Sequence, residues 1–176
     1  MSSRQIYKVI NSARPTAAAP VKQPTGTAIR TMLQIASLST QGLQVVAWGL
    51  SFDGSAAATP IQVELFGCTN SVASAMSTAL VAADVQCFTD PNAVASDTLL
   101  QYGTTALTGF ATAAVTEGTV ANYKHFDAVM LPPTGPYVYE KSLGNEAAIS
   151  ASQFVRVRVT AAATVNMYVW VDVTRR

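Results

Sequence analysis

One histidine, ten carboxylates and two cysteines carry whatever side-chain chemistry this chain has. His125 would have to be the base of any Ser-His-Asp device. The nearest approach to a nucleophile elbow, residues 49–53 (GLSFD), lacks the second glycine. As a metal ligand, His125 has neither a HExxH partner nor a Cys and His cluster around it. Paired carboxylates for glycosidic hydrolysis could be drawn from Asp53, Glu64, Asp84, Asp90, Asp97, Glu117, Asp127, Glu140, Glu146 and Asp172. Most of these fall in expected turns or on wet strand faces, which is the ordinary place for an acid. Cys68 and Cys87 match no zinc spacing and are too few for a disulfide framework, so both are expected to be free, packing as small hydrophobes. Gly42, Gly49, Gly54 and Gly67 stand singly, as turn or bulge positions, and build no phosphate loop. No catalytic residue, metal site or cofactor is expected.

Binding chemistry has two further candidates. Arg156 and Arg158 alternate on one stretch and, with Arg30, could make a basic stripe; cross-strand pairing on a solvated sheet face is the plainer reading. Trp48, Trp170, Tyr168, Tyr137 and Tyr139 could stack on sugar rings, although aromatics in strands more often anchor a core or a subunit contact.

The elements that must position these residues are strands. Residues 43–67 read as two alternating strands joined by a small-residue connection. In the first, Leu43, Val45, Ala47 and Gly49 oppose Gln44, Val46, Trp48 and Leu50; in the second, Ile61, Val63 and Leu65 oppose Gln62 and Glu64. The first is apolar on both faces, which suits a central strand near a subunit contact. Residues 28–37 predict an earlier core strand. Residues 122–131 alternate until Pro132 and Pro133 end them, and residues 137–143 predict a short strand. A second strong hairpin covers 154–160 and 164–174: Val155, Val157 and Val159 share one face, and Val165, Met167, Val169, Val171 and Val173 another. Between residues 68 and 97 the alternation fades, and loop or a strand near 80–88 is favoured over a helical turn in 71–83. Asp90, Pro91 and Asn92 signal a turn.

Residues 11–26 carry Pro15, Pro20 and Pro24 among Ala, Thr and Ser and predict an extended arm, with residues 1–9 open to a short strand at its end and Ile6, Tyr7, Val9 and Ile10 at its tip to bury against a neighbour. The organisation expected is an extended arm over 1–26 and one domain over 27–176, an all-β, antiparallel β-sandwich of the jelly-roll kind. Candidate assembly contacts are Ile6, Tyr7, Val9, Ile10, Trp48, Tyr168 and Trp170.

Charged residues make up 12% of the 176 positions, and the net charge is +1. An average soluble domain carries roughly 25%. Such a surface gathers neither nucleic acid nor acidic lipid, and it protects poorly against self-contact. The N-terminal residues lack the apolar core of a signal peptide, and no run approaches the length of a bilayer span, so synthesis in the cytoplasm without membrane insertion is expected.

Three stretches carry a resemblance: TMLQIAS at 31–37, VVAWGLSFDGSAAATPIQVELF at 45–66 and FVRVRVTAAATVNMYVWVDV at 154–173. Together, over about half the chain, they resemble a family of small virion proteins of tailed bacteriophages with a VxWGxSFDGxxAxxxPxxVEL segment and a C-terminal hRVTAPxxVN hairpin. Ala162 stands where a proline is common. The resemblance implies a capsid cement or decoration protein: a jelly-roll structural subunit, often trimeric, seated outside an icosahedral head and tying capsomers together. Its implied partners are the major capsid protein and other copies of itself. A head or tail fibre adhesin binding host glycans through loops in 70–118 is the alternative, and a cell-wall hydrolase a distant third.

Overall fold

In a computed structural model, described here for residues 4–53, 59–71, 76–90, 92–103, 106–112 and 117–176, eight strands build two antiparallel sheets. They are β1 (Tyr7–Ile10), β2 (Arg30–Ala36), β3 (Leu43–Phe52), β4 (Ile61–Cys68), β5 (Lys124–Leu131), β6 (Pro136–Glu140), β7 (Phe154–Thr160) and β8 (Asn166–Arg175). One sheet runs β6-β3-β8-β1 and the other β2-β7-β4-β5, with shorter pieces beside them. The pairing is nested: β1 with β8, β2 with β7, β3 with β6, β4 with β5. The chain is an antiparallel β-sandwich, as its alternation predicts.

The core lies between the sheets. Val155, Val157 and Val159 of β7 face Met167, Val169, Val171 and Val173 of β8 across it, each at most 1% exposed. These are the positions that strict alternation assigns, because β-branched side chains spaced two apart fill a pleated face.

Alternation fails in β3. Asp172 pairs with Ala47 while the next residue, Val173, pairs with Val45, so Val46 is the extra residue of a bulge. Past it the phase inverts, and Leu43 and Val45 share the inner face with Trp48, Leu50 and Phe52. Ala47 and Gly49, expected beside Leu43, face outward instead. A second bulge, at Phe126, turns Asp127 inward with Val129 and Leu131.

The N-terminal boundary also moves. Tyr7–Ile10 is a strand of the sandwich, hydrogen-bonded to β8, with Tyr7 3% and Val9 0% exposed inside the chain's own core. An arm spanning 1–26 therefore begins only after Ser12, because two apolar side chains at alternate positions are enough to seat a strand on a sheet edge. Residues 1–3 lie outside the described set.

Short strands between β4 and β5 line one flank of the sandwich. Gln86–Cys87 adds to β1, while Gly109–Phe110 adds to β2 and is itself paired by Thr78–Ala79. Single 3-10 turns occur at Ala82–Asp84 and Ser96–Thr98. Asn92 N–H donates to Asp90 Oδ1 at 2.9 Å, which makes the expected turn; Pro91 lies outside the described residues, as do 72–75 of the weak helical stretch and Gly54.

Candidate assembly surface

Each flank of a sandwich ends in two edge strands whose outer N–H and C=O groups seek a partner. On the flank of β1 and β2 the segment 69–123 supplies short strands to both. On the opposite flank β5 and β6 are the last strands of their sheets. They follow one another through the turn at residues 132–135, closed by Gly135 N–H to Pro132 C=O at 3.1 Å. Met130 (61% exposed) on β5, Val138 (59%) on β6 and Leu143 (87%) just beyond lie along this flank. Sequence reasoning missed it, since only the strand order reveals which strands are outermost.

The flank is held from inside. Trp48 Nε1 of β3 donates to Asp127 Oδ2 of β5 at 3.0 Å, and the Tyr137 hydroxyl of β6 donates to the same oxygen at 2.8 Å. The two rings meet edge to face, 5.2 Å apart. Burial first, then the hydrogen bond to Asp127, pushes the Tyr137 hydroxyl up to about 12. Lys141 Nζ donates to the Phe126 carbonyl at 3.2 Å and adds a second tie. Trp48, 0% exposed, is thus an inner anchor and not an assembly contact; the bulge at Val46 turns it inward.

Tyr168 and Trp170 do reach the outer face of the β6-β3-β8-β1 sheet, both half-buried. Trp170 stands opposite Gly49 on one side and Ile10 on the other. A side chain at 49 would place its Cβ 2.6 Å from the Trp170 ring, so glycine here makes room mid-strand and forms no turn. The Lys8 ammonium sits 3.6 Å from the centre of that ring and pairs with Asp172 at 2.7 Å. Asp172 is 6% exposed, and burial holds its carboxyl above the usual range against the pull of Lys8. Ile6 is half-buried where its carbonyl accepts from Phe88 N–H at 3.0 Å.

The five aromatics weighed as a sugar platform are dispersed. Trp48 and Tyr137 pack within the flank, Tyr139 lies under Lys141, and Tyr168 and Trp170 stand on the outer face. The basic stripe is not free either. Arg158 donates to Glu64, its cross-strand neighbour, at 2.9 Å. Arg156, 1% exposed, donates to Gln34 Oε1 at 3.1 Å and to the Asn70 carbonyl, and burial lowers its pKa. Arg30 donates to the Pro24 carbonyl.

The acids have local partners as well. Asp53 accepts from Lys22 and Asn166, Glu146 pairs with Arg4 at 2.5 Å, and Asp84 accepts the Arg14 backbone N–H at 2.9 Å. His125 is exposed on β5, 6.3 Å from the Tyr123 ring. Among the described residues no three His, Cys, Asp or Glu side chains come together as a metal site. Cys68 and Cys87 are free, the first buried and the second half-buried; burial pushes the Cys68 thiol up. No helix among the described residues is long and apolar enough to cross a membrane.

No family model and no curated protein matches this chain. Among solved structures it is similar to the VP2 subviral particle of infectious bursal disease virus, with 10% identity and a TM-score of 0.24 over 99% of this chain and 41% of that one. The Gx strain of the same virus gives 11%, 0.25, 99% and 42%. The chain spans about two fifths of the length of these proteins.

Proposed function

We propose that this chain is a structural virion subunit of the capsid cement or decoration type. It binds the outside of an assembled phage head, bridges neighbouring capsomers of the major capsid protein, works as a trimer and has no enzymatic activity. The observation that carries the reading is the asymmetry of the flanks among the described residues: on one, short strands from the segment between β4 and β5 pair with β1 and β2, while on the other β5 and β6 are outermost, with exposed Met130, Val138 and Leu143 on or beside them. An edge of that kind invites self-association in a free protein and is an asset in a subunit destined to be covered.

Two features support the reading further. The nested strand order, in which one long hairpin wraps over itself, supports a jelly-roll reading of the sandwich. The low charge lets the surface be buried against a lattice at small desolvation cost. A sugar platform on the strand aromatics is less well supported, because Trp170 lies between Gly49 and the Lys8 ammonium with little face left for a sugar.

The test is localisation and state dependence. Labelled chain added to heads that lack it should bind assembled heads and ignore unassembled capsid protein. Binding to tails, or equally to free capsid protein, would overturn the assignment.

A further inference from the structure

Tyr7–Ile10 and Gln23–Pro24 are two pieces of one edge strand. Both pair antiparallel with β8: Ile10 stands opposite Trp170, Gln23 opposite Met167 and Pro24 opposite Asn166. Asn11 fills the gap, its N–H donating to the Val169 carbonyl at 3.1 Å and its side chain to the Met167 carbonyl at 3.1 Å, while it accepts from Val169 N–H at 2.9 Å. The two pieces therefore end within three β8 residues of each other, a gap that one extended strand would cross with two residues.

The chain instead runs out through residues 12–22. Of residues 13–22 all but the half-buried Pro15 are exposed, and Val21 is 67% exposed. Ten extended residues reach roughly 30 Å. The excursion carries two prolines, which favour an extended path and disfavour packing of its own. Near its ends Arg14 N–H donates to Asp84 Oδ1 at 2.9 Å and Lys22 pairs with Asp53 at 3.3 Å, while residues 16–20 between them are exposed. By contrast, β1 is fully specified on the body: Tyr7 and Val9 are buried, the Tyr7 hydroxyl donates to the Val94 carbonyl at 2.7 Å, and Lys8 pairs with Asp172.

We infer that β1 is an exchangeable strand: in the assembled state it leaves its own β8 and seats on the β8 of a second copy of this chain, with residues 13–22 as the tether. The same side chains fill the same slot in either arrangement, so exchange conserves the intrachain contacts and adds a link between copies at the cost of association entropy alone. The inference rests on the proposed function only in that copies must meet.

The experiment is a cross-link across the β1–β8 register in the full chain. Ile10→Cys with Trp170→Cys, in a Cys87→Ser background, is oxidised in concentrated protein and on reconstituted heads, then run without reductant. Exchange gives covalent multimers as the main species; intrachain bonds alone, with single-chain bands in both samples, overturn it. The second variant needs no engineered cysteine. Deleting residues 16–19 still bridges the gap within one chain but shortens the reach to about 20 Å. Light scattering should show the multimer fraction falling at least fivefold while the circular dichroism spectrum is kept; an unchanged multimer fraction overturns exchange. The cross-link in concentrated protein and the light scattering need no head, so failure of strand exchange and failure of the cement role are separately visible.

Discussion

Trp48 Nε1 donates to Asp127 Oδ2 at 3.0 Å across the two sheets, at the flank where β5 and β6 are the outermost of the described strands. Trp48 belongs to β3 and Asp127 to β5, so one hydrogen bond joins opposite layers of the core. Asp127→Ala leaves the buried indole N–H without an acceptor, a loss of about 1–3 kcal/mol. Asp127→Asn keeps an acceptor oxygen and should cost less than half of that. Urea unfolding of the two variants checks the order.

Tyr137 shares that carboxylate, and its pH signature follows. Its hydroxyl titrates at about 12 in the folded chain against an ordinary 10.0. A group raised on folding contributes stability that is complete below its unfolded pKa and lost as pH rises through the folded one. Stability should therefore decline between pH 10 and 12, and Tyr137→Phe should flatten that limb. Asp172 has the same sign: the stability it contributes is complete below 3.8 and lost as pH rises through its raised folded value. Glu146, held down by its hydrogen bond from Arg4, has the opposite sign, present above 4.5 and lost as pH falls through its depressed folded value. Melting curves of Asp172→Asn and Glu146→Gln across the acid range should separate the two.

Gly49→Ala drives a methyl into the Trp170 ring, 2.6 Å from the new Cβ. The ring must swing outward from Lys8. A loss of about 1–3 kcal/mol is expected, with red-shifted tryptophan emission, because Trp48 stays buried and only Trp170 can move toward water.

Why Gly49 reads as a bulge or turn in the sequence, and Trp48 as an interface residue, has one cause. Val45, Val46 and Ala47 give no compositional sign of an inserted residue, so the phase inversion at Val46 is invisible until the register with β8 is known. Where a strand carries no extra residue of its own, as in β7 and β8 opposite bulged partners, alternation alone identifies every inward valine. The outermost position of β5 and β6 is a property of strand order, which no local pattern encodes. A short strand at Tyr7 and Val9 is legible in the sequence, but its place on the chain's own sheet is not, because the prolines after it read as an arm reaching away while two buried side chains decide where the strand sits.

Met130→Lys and Val138→Lys place charges on the open flank. Both residues are more than half exposed, so the stability of the free chain should stay within about 0.5 kcal/mol. Affinity for heads should fall about tenfold for each, since the added ammonium must be desolvated on docking. Sedimentation of chain with heads at graded concentrations provides the comparison.

A subunit that binds only the assembled lattice adds its binding free energy to that of the shell, and several weak contacts per oligomer multiply the effect. The most direct measurement is the temperature at which DNA leaves heads, followed by dye fluorescence, for particles with this protein, without it, and without it but resupplied with purified chain. Cementing predicts an earlier release from the depleted heads and its restoration on resupply. Identical release temperatures in all three would contradict it.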